Sequence, residues 1–479
     1  MDQLLIGLTL AACISPLLTF THLWQLKEWR IDRLREHLRS VGWFRQLFGI
    51  SRPLIIATGF LILIFNFQIP IFKQFSNSNI QTTTLIALAS LSVVQIAIKK
   101  QKYPVWTSKV LTIASTSLLL TTALSFYIHY STFSILLILL PIIQPFFLFL
   151  SWLLWNPVDR MLKRHTLEEA RTLRDTYDDL TVIAITGSVG KTTTKELLSH
   201  ILSDHNVIAT PAYVNTEMGV AQWLIKILKP MCPSILIVEM GAYRKGEIQT
   251  LCEIVQPTIG VITYIGSQHL GLFGSREAIA QAKRELFESL PENGHAFINA
   301  TTPFVEQLKE KAACPVTLVQ PQIPYSSISL AMAVARHLGM NQDQIQNKIN
   351  SFTPPSHTFS VRQESGVTIL DDTHNVSPES FRAAIEWSAS QPQTYKVLMT
   401  PGIIELGKEE TAIHKQLGGQ ASHIFNRVIF LNKKHARMFE SGYGTSVEIF
   451  SNNINSVPPN SLLVCIGRMS DPIIQNLLP

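Results

Sequence analysis

The stretch AITGSVGKTTTKELL, residues Ala184–Leu198, has the residue types a polyphosphate needs. Gly187 and Gly190 let backbone N–H groups turn toward phosphate oxygens at the start of a helix. Lys191 would then neutralise the β- and γ-phosphates of a nucleotide, and the hydroxyl of Thr192 is placed for Mg²⁺. Ser188 and Thr193 complete the loop. The usual form of such a loop has a further glycine five residues before Gly190, where this chain has Ile185. An ordinary glycine turn between strand and helix would not need Lys-Thr-Thr behind it.

Two more side chains fit the same chemistry. Glu239 closes the apolar run ILIVEMG, at the carboxyl end of a buried strand, which is the ligand-facing edge of an open α/β sheet. A hard oxygen ligand there suits Mg²⁺, although a solvated strand-end glutamate reads the same way in isolation. His269 lies in the glycine-bounded stretch YIGSQHLGLFGS. A lone loop histidine of this kind is more often structural than functional.

Short β-rich runs must position these groups. LTVIAIT, SILIVEMG, TIGVITYIG and HAFINA alternate with helical stretches, the pattern of a mostly parallel sheet covered by helices. A second series, GVTILDD, YKVLMT, RVIFLN, SVEIF and SLLVCIG, begins after the proline pair of FTPPSHTF. The sequence therefore predicts an ATP-binding α/β domain over 181–353 and a smaller Rossmann-like domain over 354–479.

The first third is different. Five apolar stretches, Leu4–Trp24, Pro53–Phe72, Thr82–Ile98, Val110–Tyr130 and Phe133–Trp155, approach the roughly 20 residues that cross a bilayer. The first has neither the basic start nor the small-residue cleavage site of a signal peptide. Residues 1–165 hold 15 Lys/Arg against 5 Asp/Glu, and the remainder 25 against 29. Basic residues crowd alternate connections: Lys27 to Arg52, then Lys99 to Lys109, then Arg160 to Arg164. That alternation predicts a transmembrane domain over 1–155 with its N-terminus outside, a basic linker helix over 156–180, and everything after Trp155 in the cytoplasm. It also argues against nucleic acid as the partner of the positive charge. Trp24, Trp29, Trp43, Trp106, Trp152 and Trp155 lie near the proposed span ends, and Glu28–Phe48 reads as an interfacial amphipathic helix. Asn66, Gln68 and Gln95 read as helix-packing groups more readily than as substrate contacts. The five cysteines form no C-x-x-C pair, which suits a reducing compartment.

Together these pieces resemble the Mur ligases, the ATP-dependent amide-forming enzymes of bacterial cell-wall synthesis, and most of all the branch that adds D-alanyl-D-alanine. Beyond TGSVGKTTTKE, the resemblance rests on TPAYVNTEMGV, VEMGAYRKGEI, SQHLGLFGSREAIAQAKRELFESLPENGHAFINA, LDDTHNVSPES and IELGKEETAIHKQLG, in family order across about 180–479. It implies an acyl-phosphate mechanism in which Lys191 holds the phosphates and Thr192 and Glu239 take Mg²⁺. It gives His269 a second metal position, and makes Lys283 a carbamylated lysine that helps hold that metal. Asn215 matches the first of two adjacent family asparagines, and Thr216 replaces the second. Asp372, His374 and Asn375 lie where the family closes over the nucleotide, while Glu405 and His414 match a motif without an assigned job.

Several positions depart from the family. Tyr325, Ser326 and Ser327 stand where an asparagine-containing adenine contact is expected, and His357 replaces an arginine. TPGIIELG and CIGR replace Gly-Asp-Met and Lys-Gly-Ser-Arg motifs. The apolar stretches occupy the place of the family's UDP-sugar domain. The expected activity is a membrane-anchored ligase joining a cell-wall precursor carboxylate, free or lipid-linked, to D-Ala-D-Ala or a similar amine, alongside other cell-wall proteins. The alternatives are another acid and amine pair, as in lipid II amidation or capsule polyglutamate synthesis, and a non-catalytic nucleotide-binding scaffold.

Overall fold

The computed structural model describes residues 2–68, 77–99, 101–131, 134–321, 327–451 and 454–479. The chain divides into two compact units, one ending at Leu162 and the other starting at Lys163.

The first unit is helical. Its long apolar helices are Asp2–Leu26, Ser51–Gln68, Asn77–Ala97, Ser108–His129 and the part of Leu140–Arg174 up to Leu162. Four of the five are long and apolar enough to cross a membrane, while the second has a shorter apolar part, Ser51–Ile64, among the described residues. The end of that predicted stretch lies outside the described residues, as do the side chains of Asn66 and Gln68. The predicted linker helix is not separate: Leu140–Arg174 is one helix of 35 residues that carries the last apolar segment into it. Ile31–Val41 is a helix with Leu34 buried against Trp24 and Trp29, while Arg35 and Arg39 are exposed.

The second unit holds two six-stranded sheets. The central one runs β1 (Thr181–Thr186), β2 (Val207–Ala209), β3 (Ile235–Glu239), β4 (Ile259–Ile262), β5 (His295–Asn299) and β6 (Val316–Val319). Its spatial order is β2-β3-β1-β4-β5-β6, all parallel. Val182, Ile183, Ala184 and Ile185 are fully buried, as a strand covered by helices on both faces demands. The chain builds β2 and β3 on one side of β1 and then crosses to β4 on the other. The carboxyl end of β1 is therefore the topological switch point, where ligands bind in such sheets.

The second sheet comprises β7 (Ser360–Glu364), β8 (Val367–Asp372), β9 (Lys396–Thr400), β10 (Arg427–Phe430), β11 (Glu448–Ile449) and β12 (Leu462–Ile466), in the order β11-β10-β9-β12-β8-β7. Only β7 is antiparallel. Three strands, β2, β6 and β7, were not predicted from sequence. Each is short or polar and lies at or next to a sheet edge, where burial writes no apolar run.

Candidate functional site

Register brings the first candidates together. Ile185 pairs with Glu239 on β3 and with Val261 on β4, so the loop after β1 opens beside the β3 carboxylate. Gly187 has φ 149°, and a Cβ there would lie 1.9 Å from Thr263 Oγ1. Gly190, at φ 84°, caps the helix Lys191–Ile201. Both glycines are thus required by the turn itself.

Thr192 Oγ1 donates to Glu239 Oε2 at 3.0 Å, and Asn215 Nδ2 donates to Glu239 Oε1 at 3.3 Å. Glu239 is buried. Lys191 Nζ donates to Gly187 O at 2.7 Å and to Gln268 Oε1 at 3.3 Å. Burial lowers its pKa and Glu239 opposes the shift. Ser188 turns its hydroxyl inward to Gly266 O, and Thr193 lies half-buried on the first helical turn. A fully buried lysine that the sequence reading passed over, Lys195, stands 3.6 Å from Glu239 Oε2 and donates to Thr210 O. Its spacing, one helical turn beyond Lys191, was the available signal.

Lys283 and His269 share this neighbourhood. Lys283 is buried and makes no hydrogen bond among the described residues. Burial, reinforced by Lys191, pushes its ammonium down to about 7, against the pull of Glu247, Glu285 and Glu239. His269 has φ 61°, packs its ring 4.6 Å from that of Tyr243, and meets Glu405 across the inter-sheet junction, 2.5 Å from Nδ1 to Oε2. Burial lowers its pKa and Glu405 opposes the change.

The second sheet contributes the opposite wall. Asp371 and Asp372 end β8. Phe359 N donates to Asp372 Oδ1, while Oδ2 is sealed from solvent without a partner. Burial, with Asp371 adding to it, pushes the Asp372 carboxyl up to about 7. His374 stacks on Tyr213 of the central domain at 4.8 Å, and Asn375 is half-buried beside it. A cavity of about 600 Å³ opens here, lined in part by Tyr213, His357, His374, Arg468 and Asp471. His357 Nδ1 lies 3.0 Å from Asp371 Oδ2, which also pairs with Arg362. That guanidinium satisfies the carboxylate, so a cation has little to gain beside it. Glu379, a contact absent from the sequence reading, accepts from Ser267 N at 3.0 Å across the same junction.

His414 lies elsewhere. Fully buried, it accepts from Ile403 N at Nε2 and donates through Nδ1 to Glu410 O. Burial pushes it down to about 4, the state of a neutral structural histidine. Tyr325 and Ser326 lie outside the described residues; Ser327 donates to Gly190 O at 3.2 Å.

The residues present fit a magnesium polyphosphate. Thr192 and Glu239 offer hard oxygens beside an ammonium and a helix N-terminus, and Gly187 and Gly190 keep the loop free of side chains.

Residues 185–361 match the Mur ligase middle domain. The UDP-N-acetylmuramoyl-tripeptide–D-alanyl-D-alanine ligase of Mycobacterium tuberculosis is 33% identical over 285 residues, covering 50% of this chain and 56% of that protein. The Escherichia coli ligase of the same name is 28% identical, covering 55% and 67%. The MurF ligase of Thermotoga maritima, solved with ADP, superposes with a TM-score of 0.57 at 26% identity over 66% of this chain and 82% of that one. The chain spans about half the length of the mycobacterial relative it matches. Its α/β unit has the Mur ligase fold, with a Mur ligase middle domain at residues 185–361.

Proposed function

We propose that the chain is an ATP-dependent ligase of the Mur type that joins a cell-wall precursor carboxylate to an amine. The observation that carries this reading is the gathering of Lys191, Thr192, Glu239, His269 and Lys283 at one sheet edge, opposite Asp372 and Asn375. Lys191 and the loop N–H groups hold the triphosphate in line with the carboxylate, which takes the γ-phosphoryl group as ADP leaves. The amine attacks the acyl carbon, and phosphate departs as the amide forms and the nitrogen loses its proton. Thr192 and Glu239 would hold Mg²⁺, which would supply neutralisation of the phosphate charge. His269 and Lys283, the latter as a carbamate, would hold a second ion. Asn215 steadies Glu239, and Asp372 and Asn375 contact the nucleotide from the second sheet.

The acid is a muramoyl-peptide precursor and the amine D-Ala-D-Ala or a similar compound, as the relatives' names suggest. Apolar helices stand where the family recognises a UDP-sugar, which favours a lipid-linked acid. Those helices anchor the chain in the cell membrane with its N-terminus outside and the α/β unit in the cytoplasm, because positive charge crowds the connections on that side.

Detergent-purified full-length protein should release ADP only when acid and amine are both supplied. No release across free and lipid-linked precursors would sink the ligase reading. Product mass separates D-Ala-D-Ala addition from amidation or polyglutamate synthesis. Orientation has its own test: exposed Cys232 should react with an impermeant maleimide only after cells are broken.

A further inference from the structure

His269 and Glu405 belong to opposite sheets, 136 residues apart in sequence, yet their side chains meet at 2.5 Å. Both hold backbone conformations that side-chain-bearing residues rarely adopt, φ 61° and φ 64°. The same junction is closed twice more. Gly271 N donates to Glu405 O at 2.7 Å, and a Cβ on Gly407 would lie 3.0 Å from Gly271 Cα. Two strained positions maintained to present one side chain to another point to a role beyond packing. Glu405 touches the Nδ1 edge of the imidazole and Tyr243 packs against its ring, while Nε2 makes no hydrogen bond among the described residues.

A carboxylate at Nδ1 fixes the tautomer: the proton stays on Nδ1 and the lone pair on Nε2. We infer that Glu405 is a positioning residue, which keeps Nε2 of His269 open to a divalent cation and does so only while the second sheet is seated on the central one. This rests on the ligase reading and gives the IELG stretch a job. It also makes cation binding and seating of the second sheet one coupled equilibrium, so each favours the other.

The test uses full-length protein in detergent with a non-hydrolysable ATP analogue and Mn²⁺, whose free-ion paramagnetic resonance signal reports binding. Glu405→Ala should weaken Mn²⁺ affinity about 10- to 100-fold, the usual cost of losing a metal ligand's orienting partner. Glu405→Gln, which keeps an acceptor oxygen, should recover most of that loss. In a His269→Ala background, Glu405→Ala should change affinity less than about twofold, because non-additivity marks residues acting through one another. An equal loss in both backgrounds, or none in the wild type, would overturn the inference while leaving the ligase reading standing. Failure of wild-type protein to bind Mn²⁺ with nucleotide would remove both. If Glu405→Ala does not fold, Glu405→Met, which keeps the volume but offers no carboxylate oxygen, takes its place in the two backgrounds: an equal loss with and without His269, or none in either, overturns the inference.

Discussion

The helical unit and the α/β unit both bury polar groups, but they treat them differently. In the first, Gln144 is fully buried, accepting from Thr121 Oγ1 at 2.9 Å and donating to Ser117 Oγ at 3.1 Å. Ser15 and Arg52 both donate to Gln95 Oε1. Thr9, Thr21 and Thr84 return their hydroxyls to the carbonyl one turn back. In the second, Lys283 has no hydrogen bond among the described residues, and Asp372 Oδ2 and Glu379 Oε2 are sealed without partners. Buried polar groups are normally paired, so a satisfied network reads as packing and a cluster of unsatisfied ones as a place awaiting a ligand. Arg52 Nε on the helical side, and Gln393 Oε1 and Ser461 Oγ at the amino end of the second sheet, are sealed without partners outside that cluster.

The sharpest way to break this contrast is at the loop. Lys191→Ala should lower ADP formation by about 10²- to 10³-fold, the range for losing a charge-stabilising donor, with little change in melting temperature. A variant retaining a tenth of wild-type turnover would mean that Lys191 does not hold phosphate.

Lys283→Met should separate function from stability. The folded pKa falls from 10.5 to about 7, so the unfolded chain binds more protons between those values and stability rises with pH across that window. Below pH 7 the full penalty of burying the ammonium applies, up to roughly 5 kcal/mol. Methionine removes that penalty, so the variant should melt higher at pH 6 to 7 while losing ligation. A carbamate forms only on the neutral amine, so wild-type turnover should climb through pH 7 and fall when CO₂ is stripped from the buffer. A destabilised Lys283→Met would show that the lysine is a structural pair.

Much of this was legible in the sequence because strand ends write themselves in one dimension. VIAIT followed by two glycines and Lys-Thr, or ILIV followed by Glu, fixes both a strand and the residue at its tip. Contacts that cross between sheets were not legible. Nothing near His269 in sequence announces Glu405, 136 residues away, and nothing in SPES announces that Glu379 reaches Ser267. His414 showed the converse, since its motif position carried no assigned job and its surroundings make it a core residue.

Asp372→Asn tests the second sheet with a smaller effect. The folded carboxyl titrates near 7 instead of 3.8, so the folded state binds more protons in that interval and stability falls as pH rises through it. Asparagine is neutral throughout. The variant should match wild type near pH 4 and exceed it by a few kcal/mol at pH 8, the shift being roughly 4 kcal/mol at most. Nucleotide affinity should drop about 10- to 100-fold if Asp372 contacts the nucleotide, one hydrogen bond to a charged group being worth about 1.5–3 kcal/mol. Unchanged affinity by titration calorimetry would move Asp372 to the structural side.

The helical unit should respond least. Gln144→Leu removes both hydrogen bonds but leaves Thr121 able to donate to Ser117 O, one turn back, at 2.8 Å. Inter-helix hydrogen bonds in membranes average about 0.6 kcal/mol, because alternative partners remain in the reference state. Leucine fills a similar volume, so the loss should stay near or below 1 kcal/mol, with ligation unchanged, when unfolding is followed in mixed micelles. A loss of ligation with intact stability would mean that Gln144 belongs to a substrate path, and the division between satisfied helices and an open site would then have to be redrawn through the helical unit itself.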